Sequence, residues 1–204
     1  MDGPLLIATT NAGKLREVRA MLAGHRISVV SLEEFPGLPE AAEDGDTFEE
    51  NARKKSLHYA RLTGGWTLAD DSGLEVDALH GRPGVRSARY AGRNATDAAN
   101  NARLIAALVG ISQAERTARF RCVIALADPE SVVATATGTI DGLIIDDRRG
   151  SNGFGYDPHF LVPEYGMTTA EMPPELKNRV SHRGRALRAI LGDVLRHVLA
   201  HERT

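Results

Sequence analysis

The sequence predicts an α/β fold, because apolar runs of strand length alternate with segments of helical periodicity. The apolar run over residues 4–8 is followed by residues that recur at helical spacing, namely Leu15, Val18, Met21 and Leu22. Residues 119–126 and 132–140 alternate with period two on either side of a turn at 128–131. This second pattern predicts a β-hairpin. Together the two patterns give a chain of mixed strands and helices.

Three further helices are expected from their caps and apolar faces. Thr47 and Glu50 match a capping box, which predicts a helix to about Leu62 that ends at Gly64 and Gly65. Thr96 or Asp97 is expected to cap a helix that runs to about Val109. The last helix is expected to begin near Ser181 and to present an apolar face made of Leu187, Leu191, Val194, Leu195 and Val198.

The bulk composition narrows the classes of protein to consider. A chain of 204 residues fits one domain over 1–204, or one body with two lobes, and 42% hydrophobic residues can bury a sizeable core. The formal net charge of −2 argues against a nucleic-acid or membrane partner, since such binders are usually basic.

Cysteine usage and the N-terminus indicate where in the cell the protein is expected. Cys122 is the single cysteine and lies in an alternating stretch, so we expect a buried structural thiol and no intramolecular disulfide. The N-terminus 1–4 has neither a basic segment nor a long apolar one, and no apolar run approaches the roughly 18 residues of a membrane span. A cytoplasmic protein is expected.

The most informative stretch runs from Trp66 to Leu74. An apolar strand is expected to end at Ala69 and to be followed by the adjacent carboxylates Asp70 and Asp71. Side by side, two carboxylates repel, and Mg²⁺ would neutralise them because it takes oxygen ligands from one or two carboxylates together with substrate phosphates. The alternative is a solvated turn, since Asp-Asp-Ser-Gly is also favourable turn chemistry.

Three groups of residues are suited to bind anions. The polar loop 9–14 joins a strand to a helix, so backbone N–H groups, the helix N-terminus and Lys14 could hold phosphate; a plain connection is the alternative. Arg86 and Arg89 lie in a glycine-bounded stretch and could also face phosphate or be solvated. Positive residues near the start of the last helix oppose its dipole, which predicts an offsetting anion there; they are Lys177, His182, Arg183 and Arg185.

A glycine-rich loop over 150–158 carries two aromatic residues, Phe154 and Tyr156. Glycines allow the backbone to approach a ligand closely, so the rings could form a stacking platform for a base. The alternative is a tight turn with both rings in the core.

In combination, an acidic motif, anion-binding residues and an aromatic loop describe a nucleoside-triphosphate site. Four segments in this order resemble the inosine triphosphate pyrophosphatase family, whose bacterial members are dITP/XTP pyrophosphatases: Thr-Thr-Asn-Ala-Gly-Lys at 9–14, Leu-Ala-Asp-Asp-Ser-Gly-Leu at 68–74, Gly-Phe-Gly-Tyr-Asp-Pro at 153–158 and Ser-His-Arg-Gly at 181–184. The resemblance extends over nearly the whole chain.

This resemblance implies a fold, a reaction and partners. The fold is a long, twisted mixed β-sheet flanked by helices, with two lobes and an active-site cleft between them. The reaction is Mg²⁺-dependent hydrolysis of ITP, dITP or XTP to the monophosphate and pyrophosphate. A homodimer is implied as well.

The resemblance also assigns roles to individual residues. Asp71 would be the general base and a metal ligand, and Ser72 would contact the substrate through its hydroxyl. The triphosphate would be held by the loop Thr9, Thr10, Asn11, Ala12, Gly13 and Lys14. The base and sugar would be surrounded by Phe154, Gly155, Tyr156, Asp157, Lys177, His182 and Arg183. Some relatives carry a glutamate pair where this chain has Ala42 and Glu43, so further metal ligands are sought among Glu43, Glu50 and Asp70.

Three other functions fit parts of the sequence. The first is a pyrophosphatase or phosphatase for other modified nucleotides, such as pyrimidines. The second is a nucleotide-binding protein without catalysis. The third is a nucleic-acid-binding protein that uses the arginines of 82–93. The net negative charge of the chain argues against this function.

Overall fold

The computed structural model describes residues 3–199 and contains one mixed β-sheet with α-helices. The strands of the sheet, in chain order, are β1 Leu5–Ile7, β2 Val29–Ser31, β3 Thr67–Val76, β4 Thr117–Ala127, β5 Val132–Ile144, β6 Phe160–Val162 and β7 Met167–Thr168. The helices are α1 Ala12–Leu22, α2 Phe48–Thr63, α3 Asp97–Ala107, α4 Pro174–Val180 and α5 His182–Leu199. The predicted α/β fold class is confirmed.

The sheet has the strand order β2-β1-β3-β4-β5-β6-β7. β1 pairs in parallel with β2 and with β3, and Leu6 lies opposite Thr67 in the second pairing. β6 pairs antiparallel with β5 and with β7. The predicted hairpin is confirmed, because β4 and β5 are neighbours and the N–H of Asp128 donates to the carbonyl of Ser131 in the turn between them.

The described chain divides into two compact units, and each has its own hydrophobic core. Unit 1 comprises 3–71, 122–138 and 183–199, and unit 2 comprises 72–121 and 139–182. The single two-lobed domain over 1–204 stays a prediction, and residues 1, 2 and 200–204 lie outside the described residues.

The main core of unit 1 contains the apolar face predicted for α1 and part of the face predicted for α5. Of the predicted α5 residues, Leu187, Val194 and Val198 are in this core and Leu191 packs against it, whereas Leu195 is not one of its residues. Leu15, Val18 and Leu22 of α1 pack with residues of β1, β3 and β4, and with a stripe of α5 that comprises Ala186, Leu187, Ile190, Val194 and Val198. Cys122 of β4 belongs to this core, and burial raises the pKa of its thiol. The predicted structural thiol is therefore confirmed.

The core of unit 2 packs the second half of β3 and the first half of β4 against α3. Leu74 and Val76 meet Leu104 and Leu108, and the core is completed by Phe120, Ile140, Phe160 and Met172 among others. Thr96 caps α3 by accepting from the N–H of Ala99 at 3.2 Å.

Among residues 3–199, none of the helices combines the length and apolar character that crossing a membrane requires.

Two predicted local features differ in the structure. β3 does not end at Ala69 but continues to Val76, so the predicted strand end was wrong. The Asp-Asp-Ser-Gly motif is a strand segment, which also excludes the alternative of a solvated turn. Thr47 caps α2 by accepting from the N–H of Glu50 at 3.1 Å, as predicted. The reciprocal bond is shifted by one residue, because the Glu50 carboxylate accepts from the N–H of Asp46 at 2.8 Å.

Candidate active site

The two adjacent carboxylates of β3 point to opposite faces of the strand, since side chains alternate along extended backbone. Both are buried, with 6% of Asp70 and 8% of Asp71 exposed. Alternation gives each carboxylate its own surroundings, which relieves the side-by-side repulsion that the sequence suggested. The two groups consequently acquire opposite electrostatic properties.

Asp70 is neutralised by cations of the protein itself. Its Oδ2 lies 3.0 Å from Lys14 Nζ and 3.2 Å from both Nε and Nη2 of Arg183. Burial by itself raises the pKa of Asp70, but the charges of Lys14, Arg183 and Lys55 outweigh it and hold that pKa far below its ordinary value. Asp70 is therefore ionised at any working pH, and its charge is already compensated within unit 1.

Arg183 places a positive charge at the N-terminus of α5, and carboxylates of the protein offset this charge. Its side chain is 1% exposed, and Nη1 donates to Glu17 Oε2 at 2.5 Å. Burial lowers the pKa of Arg183, whereas Asp70 and Glu17 raise it and prevail. The offsetting anions at this position are carboxylates of the protein, which sequence reasoning had sought in a ligand.

Asp71 has the opposite character. Asn51 on α2 donates through Nδ2 to Asp71 Oδ2 at 2.9 Å. Burial raises the pKa of Asp71 above its ordinary value, and the lowering by Lys14, Lys55 and the Asn51 hydrogen bond does not cancel it. A carboxylate with a raised pKa is better matched to accepting a proton near neutral pH than an ordinary one.

The other predicted metal ligands lie on the loop before α2 and on its first turn. Glu43 is half-buried and forms an ion pair with Lys55 at 2.5 Å. Glu50 is exposed and caps the helix through Asp46. Among residues 3–199, no three histidine, cysteine or acidic side chains converge as a metal-binding group. Mg²⁺ bound by one or two carboxylates and substrate phosphates does not require such a group.

The loop 9–14 has the strand-to-helix geometry that was predicted. β1 ends at Ile7 and α1 begins at Ala12, with Asn11 as the N-cap that accepts from the N–H of Lys14 at 3.0 Å. Thr9 Oγ1 accepts from the N–H of Asn11 at 3.2 Å, and no acidic residue lies in the first turn of α1. The backbone N–H groups at the helix start therefore keep the positive end of the helix dipole.

In unit 2, Asp157 organises the glycine-rich loop. Its Oδ2 accepts from Lys177 Nζ at 2.6 Å and from the N–H of Phe154 at 2.8 Å, and its Oδ1 accepts from Thr169 Oγ1 at 2.8 Å. Gly153 has a φ of +78°, and a Cβ there would collide with the Asp157 carboxylate and lie 2.9 Å from Lys177 Nζ. A glycine is therefore required where the loop passes over this buried ion pair.

The two aromatic residues of this loop differ in burial: Tyr156 is buried and Phe154 is half-buried. Tyr156 is 5% exposed in the core of unit 2, where burial raises the pKa of its hydroxyl, which donates to the carbonyl of Ser87 at 2.8 Å. This is the core placement that sequence analysis gave as the alternative. Phe154 is half-buried, and Lys177 Nζ lies 5.0 Å from its ring centroid. Of the two rings, that of Phe154 is therefore the one outside the core of unit 2.

Unit 2 also contains the buried ring of His182 and a cavity. The ring of His182 stacks on Phe120 with a centroid distance of 4.8 Å and an interplanar angle of 16°. A cavity of about 740 Å³ lies between α3 and the glycine-rich loop. Phe154 and Gly155 line this cavity, whereas Tyr156, Asp157 and Lys177 do not.

Some residues that contact the predicted ones were not predicted from the sequence. Asn51, Glu17 and Lys55 each contact a predicted residue. Asn51 lies in the segment Phe-Glu-Glu-Asn-Ala at 48–52, which is part of the family resemblance, whereas no pattern in the sequence marked Glu17 or Lys55. Arg86 is exposed and Arg89 half-buried on a 3₁₀ turn of unit 2.

Comparison with known proteins assigns the chain to a family. Residues 5–192 match the sequence profile of the Ham1 family. The chain is 57% identical to a dITP/XTP pyrophosphatase of Geobacter sulfurreducens, covering 94% of this chain and 96% of that one, and 52% identical to one of Desulforamulus reducens, covering 97% and 98%. The structure of a HAM1 protein from Coxiella burnetii superimposes with a TM-score of 0.85 at 43% identity, over 96% of this chain and 98% of that one. This chain therefore belongs to the Ham1 family.

Proposed function

We propose that this protein is a nucleoside-triphosphate pyrophosphatase that hydrolyses dITP, XTP and ITP to the monophosphate and pyrophosphate, with Mg²⁺ as cofactor. The observation that carries the proposal is the pair of unlike carboxylates on β3: Asp70, neutralised by Lys14 and Arg183, and Asp71, buried with a raised pKa. The curated relatives named dITP/XTP pyrophosphatase support the choice of substrate.

The start of α1 suits the triphosphate. Backbone N–H groups of residues 12 and 13 and the helix dipole offer positive potential, and Lys14 adds a full charge in the same turn. Because Asp70 holds the ammonium group of Lys14 at 3.0 Å, this side chain is positioned before the substrate arrives. Thr9, Thr10 and Asn11 would contribute hydroxyl and amide contacts to the phosphate oxygens.

Asp71 would act on the water. It accepts a proton from the attacking water molecule while the oxygen of that water forms a bond to a phosphorus atom of the α–β anhydride. The bond from that phosphorus to the bridging oxygen breaks, which yields the monophosphate and pyrophosphate. General base catalysis of this kind contributes roughly 10²–10⁴-fold to rate. No covalent enzyme intermediate is required.

The residues fit a divalent cation. Burial disfavours the ionised form of Asp71, and a cation beside it would restore that form, while Glu43 supplies a second oxygen donor from the loop before α2. Asp71 and Glu43 are the ligands that we propose, because the charge of Glu43 acts on Asp71 and a cation would replace Lys55 as its partner. Glu50 already caps α2, and Asp70 is held by two cations of the protein. When bound, Mg²⁺ would neutralise phosphate charge and polarise the anhydride.

Unit 2 would recognise the base. Phe154 offers a ring face, and the Asp157–Lys177 pair beneath fixes the loop that carries it. His182 is the donor that we assign to the 6-keto oxygen of hypoxanthine or xanthine. Adenine presents an amine at that position and would leave a donor unpaired, at a cost of about 1–3 kcal/mol.

We also propose, from the family resemblance, that the protein is a cytoplasmic homodimer. Light scattering would test the dimer.

The decisive experiment is product analysis with purified protein. Each of dITP, XTP, ITP, ATP and GTP is incubated with Mg²⁺, and monophosphate, diphosphate, pyrophosphate and phosphate are resolved. We expect monophosphate and pyrophosphate from the first three nucleotides, far slower turnover of ATP, and loss of turnover in EDTA. Asp71→Asn should lower kcat by at least about 100-fold. Asp77→Asn, an exposed carboxylate on the same segment, should not.

Other outcomes would separate the rival functions. Release of diphosphate and phosphate would contradict the assignment of the bond that is cleaved. Turnover of modified pyrimidine nucleotides in preference to dITP and XTP would contradict the substrate class. Binding of triphosphates with no turnover of any would indicate a binding protein.

A further inference from the structure

Two buried asparagines occupy the same position on two different helices. Asn51 lies four residues after the N-cap Thr47 of α2, and Asn100 lies four residues after the N-cap Thr96 of α3. They are 1% and 3% exposed. Each uses its Oδ1 to accept a backbone N–H from the segment that leads into its helix, at 2.8 Å in both cases. The shared contact ties an incoming loop to the first turns of a helix.

The two residues differ in what their amide nitrogen contacts. Asn100 Nδ2 donates to the backbone carbonyl of Ala88 at 3.1 Å, which completes a purely structural bridge between Ala91 and Ala88. Asn51 Nδ2 donates instead to Asp71 Oδ2 at 2.9 Å. The amide nitrogen of Asn51 therefore contacts Asp71, the side chain that we propose as the general base.

The loop contact fixes the orientation of the Asn51 amide. The N–H of Gly45 is a donor, so the group that faces it must be the carbonyl oxygen Oδ1, and Nδ2 must then face Asp71. A Cβ on Gly45 would lie 2.8 Å from Asn51 Oδ1 and 2.8 Å from Glu50 Cβ, so the close approach depends on a glycine. The flipped amide would set a lone pair against the carboxylate.

We propose that Asn51 is a positioning residue, which holds the Asp71 carboxylate and joins it to the loop that carries Glu43. The inference rests on the proposed function, since it assigns Asn51 a role in the reaction through Asp71. Asn51 touches neither phosphate nor base in this role. It restrains one carboxylate oxygen by a hydrogen bond that cannot reverse its direction.

The matched pair Asn51→Asp and Asn100→Asp tests the proposal. Each change is nearly isosteric, preserves the acceptor for the incoming loop and replaces one buried donor by an oxygen, so both proteins should lose thermal stability. The loss should be larger in Asn51→Asp, where two carboxylates face each other. Asn51→Asp also sets an oxygen against Asp71. Displacement of a reacting group by about 1 Å costs about 100-fold in rate, so we expect kcat for dITP to fall by about that factor in Asn51→Asp. In Asn100→Asp, kcat should stay within about threefold of the parent value.

Two further readouts keep a structural role and a positioning role apart. KM for dITP should change far less than kcat in Asn51→Asp, because the phosphate and base contacts are retained. Equal kcat values in the two aspartate variants, or a fall in Asn51→Asp that lies wholly in KM, would overturn the proposal. If Asn51→Asp does not fold, the pair Asn51→Ala and Asn100→Ala is measured in the same way.

Crystal structures of the two alanine variants decide the point without reference to activity. In Asn51→Ala the Asp71 carboxylate should leave its parental rotamer or become disordered, and in Asn100→Ala it should not move. An unchanged Asp71 in Asn51→Ala would refute the positioning role. If the parent protein hydrolyses no triphosphate, the proposed function fails, but this crystallographic comparison still decides whether Asn51 positions Asp71.

Discussion

Replacing Asp70 by asparagine tests whether the buried ion pairs of unit 1 stabilise the fold. The substitution preserves the shape of the side chain and removes the charge that faces Lys14 at 3.0 Å and Arg183 at 3.2 Å. Arg183 is 1% exposed and cannot be hydrated without moving. Unfolding should therefore become easier, because a buried guanidinium loses one of its two carboxylates.

The magnitude follows from burial. Breaking a buried pair by removing one partner costs about 3–5 kcal/mol. The lower end applies here, because Arg183 keeps Glu17 at 2.5 Å and an asparagine oxygen can still accept from Lys14. A change of about 3 kcal/mol in a chain of this size corresponds to a fall of about 6–12 °C in the unfolding midpoint.

Thermal unfolding followed by circular dichroism would measure the effect, with Asp44→Asn as the matched control. Asp44 pairs with Lys54 at 2.8 Å, but both side chains are largely exposed, so we expect no measurable change there. The folded pKa of Asp70 is depressed, so its stabilisation is present above the ordinary value of 3.8 and is lost as the pH falls through the folded pKa. The difference between parent and variant should thus be constant from pH 8 to pH 5.

The reasoning is refuted if Asp70→Asn unfolds within about 2 °C of the parent at pH 7, a shift equivalent to less than about 1 kcal/mol. An equal loss in the Asp44 control would refute it as well, because burial would then not distinguish the two pairs.

Two further predictions concern catalysis. Lys55→Met removes a charge that lowers the pKa of Asp71, so the acid limb of the kcat/KM profile should move to higher pH. Lys54→Met, an exposed change on the same helix, should leave that limb in place. Phe154→Ala should raise KM for dITP about tenfold with little change in kcat, since base stacking contributes about 1–3 kcal/mol, and Phe154→Tyr should retain the parental KM. An unmoved acid limb, or a loss confined to kcat, would contradict the respective prediction.

Local sequence signals predicted most of the secondary structure because their causes are local. Thr47 caps α2 through a bond to a residue three positions on, and the apolar stripe of α5 follows from helical geometry alone. The extent of β3 was not predictable in this way. Two acids, a serine and a glycine favour a turn locally, whereas in the fold the segment is part of a strand between β1 and β4 of the sheet. The pairing of strands that are distant in sequence outweighs the local preference.

The sequence by itself determined the fold class, the main helices, the hairpin and the motifs that carry the family resemblance. The family resemblance gave Asp71 and Asp70 different roles, but the local sequence could not predict the different surroundings of these two carboxylates. Nor could it distinguish the ring of Phe154 from that of Tyr156, since neighbours of the same type carry the same local signal. The tertiary structure decided both, by packing Tyr156 into a core and by bringing Asp70 to Arg183, 113 positions further along the chain. The electrostatic character of a buried group depends on which charges and how much water surround it, and only the folded chain specifies these.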